Sequence, residues 1–239
     1  THVGIPGIDH LLAYPIFSIA LSLIAITGLT NSYNIIDGFN GLSSMVGAMT
    51  LLALAYVAFK VGDFSLVYLA IAMVAAILGF FLWNYPRGLI FLGDGGAYLI
   101  GFWIAVISTL VVVRHQEISP CFALLINAYP VLEVLFTIYR RKIHQGKSPG
   151  QPDGIHLHSL IFRRILNPGK LVAKENLFVA NAKTAPYLWI LSTIAIIPAI
   201  IWPNSSPILI IATIIFFTIY IRIYKSIVTF KTPRWLHPS

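Results

Sequence analysis

Asp94 stands in the run Asn84-Tyr-Pro-Arg-Gly-Leu-Ile-Phe91-Leu-Gly-Asp94-Gly-Gly-Ala-Tyr-Leu-Ile-Gly101, between Gly93 and the pair Gly95-Gly96. An acid at the edge of an apolar segment is costly and usually functional. Glycines on both sides let a ligand approach the backbone and free N–H groups to face a phosphate. The plain alternative is a polar turn that happens to hold an acid. Upstream, Asn31-Ser-Tyr-Asn34-Ile-Ile-Asp37-Gly-Phe-Asn40-Gly41 places Asn34, Asp37 and Asn40 at three-residue spacing, which a helical turn stacks along one face. Two carboxamides and a carboxylate can read the polar edges of a nucleobase or sugar, or support a metal. The competing use is a helix cap, with Asp37 or Asn40 capping the apolar run that begins at Leu42. Downstream, Pro152-Asp153-Gly-Ile-His156-Leu-His158 precedes Arg163-Arg164. On an extended segment both imidazoles point to one side, which suits binding a diphosphate or moving a proton. The two arginines either clamp phosphate or mark topology. A zinc site would need third and fourth ligands that no Cys or His spacing supplies. Gly146-Lys147-Ser148 lacks the upstream glycines of a P-loop.

The elements that must carry these residues are membrane helices. The chain has 239 residues, 58% of them hydrophobic and 10% charged, where a soluble domain has about a quarter charged. Seven apolar stretches, roughly 11–30, 42–59, 65–83, 97–113, 119–139, 186–202 and 207–224, have the length a hydrocarbon core of about 30 Å requires. The expected fold class is therefore an all-α polytopic membrane protein with about seven transmembrane helices. A net charge of +8 could suggest nucleic acid, but its distribution follows topology instead. Segment 140–185 holds nine Lys and Arg residues and is placed in the cytoplasm. Counting spans then brings loops 31–41 and 84–96 to the same side, with fourteen of the sixteen basic residues and only Lys60 and Arg114 opposite. The fifth span contains Asn127, Pro130 and Glu133. Pro130 should kink it, and Glu133 either pairs with Arg140 and Arg141 or faces a polar cleft. Phe91 either stacks on a base beside the phosphate site or belongs to an interfacial aromatic belt. Cys121, the single cysteine, excludes an intrachain disulfide and a Cys-based zinc site.

Taken in order, Asn-x-x-Asp-Gly-x-Asn-Gly, Phe-Leu-Gly-Asp-Gly-Gly and Pro-Asp-x-x-His-x-His resemble the three loop motifs of the polyprenyl-phosphate N-acetylhexosamine-1-phosphate transferases. The likeness runs from about Thr27 to Arg164. It implies transfer of a sugar-1-phosphate from a UDP-N-acetylhexosamine to polyprenyl (undecaprenyl) phosphate. The lipid phosphate attacks the β-phosphorus, UMP leaves, and the product starts a cell-surface polysaccharide such as O-antigen. The resemblance implies Mg²⁺, with Mn²⁺ as the alternative ion. It implies Asp94 as the metal-binding and catalytic aspartate, His156 and His158 as catalytic histidines near the sugar and diphosphate, and Phe91 as the ring stacked on uracil. Asn34, Asp37, Asn40 and Asn84 correspond to nucleotide-binding positions, and Arg140 and Arg141 to a phosphate contact. The implied location is a bacterial inner membrane with the site facing the cytoplasm and no nucleic-acid partner; a homodimer is left open.

The sequence departs from the family pattern in several places. All eight acids are isolated, whereas relatives carry an upstream Asp-Asp pair tied to metal and lipid-phosphate activation. The expectation is a single transmembrane catalytic domain forming the C-terminal portion of a longer one and inactive alone. Gly95-Gly96-Ala97 replaces x-Gly-Ser, Glu133 stands where Asp is usual, Gly154 replaces an Arg, and Ser159 a further His. Without a triple-His run, the N-acetylhexosamine branch is favoured over the muramoyl-pentapeptide branch. The rival classes are a transporter with a broken-helix ion site and a catalytically degenerate scaffold.

Overall fold

The computed structural model describes residues 6–144, 146, 154–166 and 174–230. In chain order the helices are α1 (Pro6–Leu12), α2 (Pro15–Ile35), α3 (Leu42–Lys60), α4 (Phe64–Asn84), α5 (Gly93–Arg114), α6 (Pro120–Ile126), α7 (Ala128–Tyr139), α8 (Leu157–Ile161), α9 (Lys174–Ile201) and α10 (Ser206–Val228). Six of the described helices are long and apolar enough to cross a bilayer, and the bent pair α6–α7 brings the number to seven when counted as one span. The chain is a multi-pass α-helical membrane protein, as its composition requires. Lys147, Ser148, Pro152 and Asp153, invoked above, lie outside the described residues.

Local chemistry explains where the helices begin. Pro15 and Pro120 occupy first-turn positions, where no N–H is needed. Asp63 caps α4 by accepting the Leu66 N–H at 3.2 Å, and the Ser119 hydroxyl accepts the Cys121 N–H at 3.2 Å. The cap of α3 departs from expectation. Neither Asp37 nor Asn40 serves; Gly41 holds that position at φ +74° with no side-chain cap. Both polar side chains are thereby left to other partners.

Three boundaries also differ, the first for a tertiary reason. α2 continues through Asn31–Asn34 to Ile35. There, buried Tyr33 donates its hydroxyl to Thr50 Oγ1 at 3.2 Å, and Ser43 Oγ donates to the Tyr33 carbonyl at 3.0 Å. α5 begins at Gly93, so Asp94 lies in its first turn rather than in a loop. α9 begins at Lys174 and carries Pro186 and Pro198 inside it, which membrane helices tolerate where neighbours satisfy the freed carbonyls. The expected kink in the fifth span is a full break of 79° between α6 and α7. Pro130 lacks the N–H that would bond back to Ile126, and its ring crowds that carbonyl. Asn127, at the break, donates to the Ala123 carbonyl at 3.0 Å and to Ser108 Oγ at 3.2 Å.

α3 is the most enclosed of the crossings, packed against α4, α5 and α9. At one end of the bundle, Asp63 accepts from Arg114 at 3.2 Å and contacts His115 Nε2 at 3.1 Å, while Ser119 and Ser206 share a 2.7 Å hydrogen bond. At the other end the turn 36–41 meets the turn 85–92 and, through Gly38, the first turn of α8. The glycine-bearing motifs share one end, as the span count anticipates.

Candidate functional site

The site grows from the C-terminal turn of α2 and the N-terminal turn of α5. Asn34 Nδ2 donates to Asp94 Oδ1 at 2.9 Å. Asp94 sits where unsatisfied backbone N–H groups and the helix dipole favour negative charge. Asp37, half-buried in the turn after α2, has its carboxyl pushed up to about 6, chiefly by burial and secondarily by the nearby Asp94 charge. Two carboxylates are thus held in mutual repulsion, which a cation between them would relieve.

That repulsion has a measurable sign. An acid with a native value near 6 and an unfolded value near 4 contributes stability below about pH 4 that is lost as pH rises through about 6. In metal-free buffer, Asp37→Asn should abolish this decline and raise the apparent melting temperature at pH 7, by an amount equivalent to ~1–3 kcal/mol. Thermal unfolding in detergent between pH 4 and 8 tests it. A variant that keeps the wild-type slope would place the decline elsewhere.

Asn40 and Asn84 are turned away from Asp94 and spend their amides on backbone. Asn84 Oδ1 accepts the Gly41 N–H at 2.6 Å, and its Nδ2 donates to the Ile90 carbonyl at 2.8 Å. Asn40 Nδ2 donates to the Pro86 carbonyl at 3.2 Å, and its N–H reaches Asn181 Oδ1 at 2.9 Å. Trp189 Nε1 completes the brace by donating to the Gly41 carbonyl at 3.1 Å. Gly41 must be glycine, since a Cβ would meet the Tyr85 ring at 2.7 Å at a positive φ. The expected one-face stacking therefore holds Asn34 and Asp37 near Asp94, whereas Asn40 belongs to the brace. Asn181 and Trp189 carry no signal in sequence, being scattered on α9. Phe91 is 82% exposed, so its ring is available for stacking.

The third motif joins through the turn after α2. The His158 ring packs edge-on to Phe39 at 5.5 Å. A Cβ on Gly38 would lie 3.1 Å from His158 Nε2, so any larger residue would press on that ring. His156 and His158 stack with centroids 5.2 Å apart and planes 15° apart, but not on the extended segment expected: His156 holds the N-cap position of α8 and His158 lies in its first turn. His156 Nδ1 lies 3.1 Å from Glu133 Oε1 and 3.3 Å from Thr137 Oγ1. Glu133, 1% exposed, also accepts the Leu157 N–H at 3.0 Å and the Tyr220 hydroxyl at 2.9 Å. Its status as a lone acid in a span was the available signal; Tyr220 offered none, lying in an apolar run. Arg140 and Arg141 are buried in the π-helical turn that continues α7. Arg164 instead binds the α10 end, donating to the Ile227 carbonyl at 2.9 Å and lying over Phe230.

Residues 1–112, which contain the first two motifs, match the glycosyl transferase family 4 profile. The chain is 35% identical over 154 residues to the undecaprenyl-phosphate alpha-N-acetylglucosaminyl 1-phosphate transferase of Escherichia coli K12. It is 33% identical to the protein of that name in Yersinia pestis, and 31% to the probable undecaprenyl-phosphate N-acetylglucosaminyl 1-phosphate transferase of Bacillus subtilis. Over residues 1–112 this chain is similar to glycosyl transferase family 4. The alignments cover 62% of it and 40–41% of those relatives, so it spans about two fifths of their length.

Among the described residues the metal-holding candidates are few. Among the described residues no three His, Cys, Asp or Glu side chains gather as a metal-holding group. Asp94, Asp37 and the Asn34 carboxamide remain. They fit Mg²⁺, which takes one or two carboxylates and leaves its other positions to water and phosphate. They do not fit a closed zinc site. Deeper in the membrane-spanning part, a groove of about 380 Å³ between α2, α5 and the broken span is walled by Ile24, Leu29, Val131, Val134 and Leu135, with Ser32 and Asn127 also lining it. Its walls suit an apolar chain.

Proposed function

We propose that this chain forms part of a membrane enzyme that transfers N-acetylhexosamine-1-phosphate from a UDP-sugar to polyprenyl phosphate and releases UMP. The observation that carries the proposal is the pairing of Asp94 with Asn34 beside the repelled carboxyl of Asp37, at the end of the bundle where His156 and His158 stack. The activities after which those relatives are named point the same way. An oxygen of the lipid phosphate attacks the β-phosphorus of the donor, and the bond to the α-phosphate oxygen breaks. Such phosphoryl transfer asks a protein mainly for positioning and charge neutralisation.

The residues divide that work. Asp94, with Asp37 and Asn34, would hold Mg²⁺, whose charge neutralises the diphosphate. The exposed Phe91 ring stacks on uracil. The brace of Asn40, Asn84 and Gly41 sets the two loops at a fixed separation and so acts on nucleotide geometry. His156 and His158 address the diphosphate. The groove beside α2 takes the first isoprene units of the acceptor. At the site end stand Arg87, Arg140, Arg141, Arg163, Arg164 and Lys225, against Lys60 and Arg114 at the other. The positive-inside rule turns such an end toward the cytoplasm, where a UDP-sugar is available.

The deciding measurement is the nucleotide product. The complete gene product, expressed in membranes, is given radiolabelled UDP-N-acetylglucosamine, undecaprenyl phosphate and Mg²⁺. UMP that depends on both lipid and metal is the expected outcome. UDP would mean ordinary glycosyl transfer and a wrong mechanism. Neither nucleotide, across several UDP-sugars, would leave a transporter or a degenerate scaffold.

A further inference from the structure

We infer that Glu133, held by Tyr220, is a positioning residue that commits Nδ1 of His156 to a proton and reserves Nε2 for the substrate's phosphate; this rests on the transferase proposal above. The carboxylate is buried within the membrane-spanning region of α7, 1% exposed, where an acid without partners would be prohibitively expensive. Three donors converge on it. Tyr220 O–H supplies Oε2 at 2.9 Å, and the Leu157 N–H supplies Oε1 at 3.0 Å. The remaining contact, His156 Nδ1 to Oε1 at 3.1 Å, completes the set.

An ionised carboxylate can only accept hydrogen bonds. The hydrogen at that contact therefore resides on Nδ1, whichever charge the ring carries. Thr137 Oγ1, 3.3 Å from the same nitrogen, can share the bond as a second acceptor. With Nδ1 committed, Nε2 is the nitrogen through which His156 carries a proton to or from a phosphate oxygen. A carboxylate behind an imidazole fixes ring orientation and tautomer and stabilises the imidazolium when it forms. The Leu157 N–H bond ties the same carboxylate to the first turn of α8, so one acid registers both the ring and the backbone that carries it. Tyr220 comes from α10 and Glu133 from α7, so the last crossing contributes to the site without reaching substrate. A plain structural ion pair would require none of this convergence of donors on the carboxylate behind the histidine.

The test uses full-length enzyme and compares wild type with Glu133→Gln and Tyr220→Phe. Glutamine keeps the volume and can accept the Leu157 N–H, so folded yield and melting temperature should hold. Turnover should fall about 10–100-fold, the usual loss when an orienting partner is removed, with the KM for the UDP-sugar little changed. Tyr220→Phe should give a smaller fall in the same direction. Independently of turnover, histidine nitrogen-15 spectra should show the neutral His156 ring as the Nδ1–H tautomer in wild type. The Glu133→Gln spectrum should show both tautomers. An Nε2–H tautomer in wild type overturns the assignment, as does activity that falls only in proportion to folded protein. If no UDP-sugar yields UMP, the transferase proposal fails while the spectra still decide the tautomer.

Discussion

Asp94→Asn should reduce UMP release by at least about 10³-fold, the scale of losing several kcal/mol of transition-state charge stabilisation. The change is small in shape. The introduced carboxamide would keep an oxygen to accept the 2.9 Å bond from Asn34, and it still suits the first turn of α5. What disappears is the charge. Because the Asp94 charge helps raise the Asp37 carboxyl to about 6, its removal should also ease Asp37 back toward ordinary acidity. The variant should therefore be no less heat-stable than wild type in metal-free buffer, while Mg²⁺ protects it less against thermal unfolding. Lost turnover with retained stability would assign Asp94 to the metal and to chemistry. Undiminished turnover would sink the metal assignment and give weight to a scaffold that needs no ion.

The crossings were legible because each is a long apolar run, and lipid leaves the backbone no option but a helix there. Legibility fails at the ends of those runs, where the chemistry sits. Asn31–Asn34 and Gly93–Gly96 look like loop by composition, yet Tyr33–Thr50 and Ser43–Tyr33 hydrogen bonds hold the former in α2. The latter forms the first turn of α5. The motif positions were likewise visible as residue types but not as uses. Asn84 reads as a ligand-binding amide and proves to bridge the Gly41 and Ile90 backbones, a role that depends on a turn 43 residues upstream. Glu133 had Arg140 and Arg141 as its nearby candidates in sequence, whereas His156 and Tyr220 bind it from 23 and 87 residues away. Local spacing can say that a carboxylate needs partners. It cannot say which distant element will supply them.

His156→Ala is the second substitution with a large expected effect: turnover falls about 10²–10⁴-fold, the range for losing a positioned proton-transferring group, and protein abundance changes little. The separation of the two effects follows from where the ring lies. Its charged partner among the described residues is Glu133, and that carboxylate keeps the Tyr220 hydroxyl and the Leu157 N–H after the ring is gone. The backbone of α8 thus stays registered to α7. His158 retains Phe39 on its edge, so the turn after α2 keeps its seat as well. A cavity of one imidazole remains beside a carboxylate and two hydroxyl-bearing residues, a polar space that water can fill. The loss should therefore appear in turnover and, because a small base can enter such a space, recover in part when imidazole is added to the assay. Equal falls in turnover and in membrane-inserted protein would make His156 a packing residue and leave Asp94 as the only chemical anchor of the site.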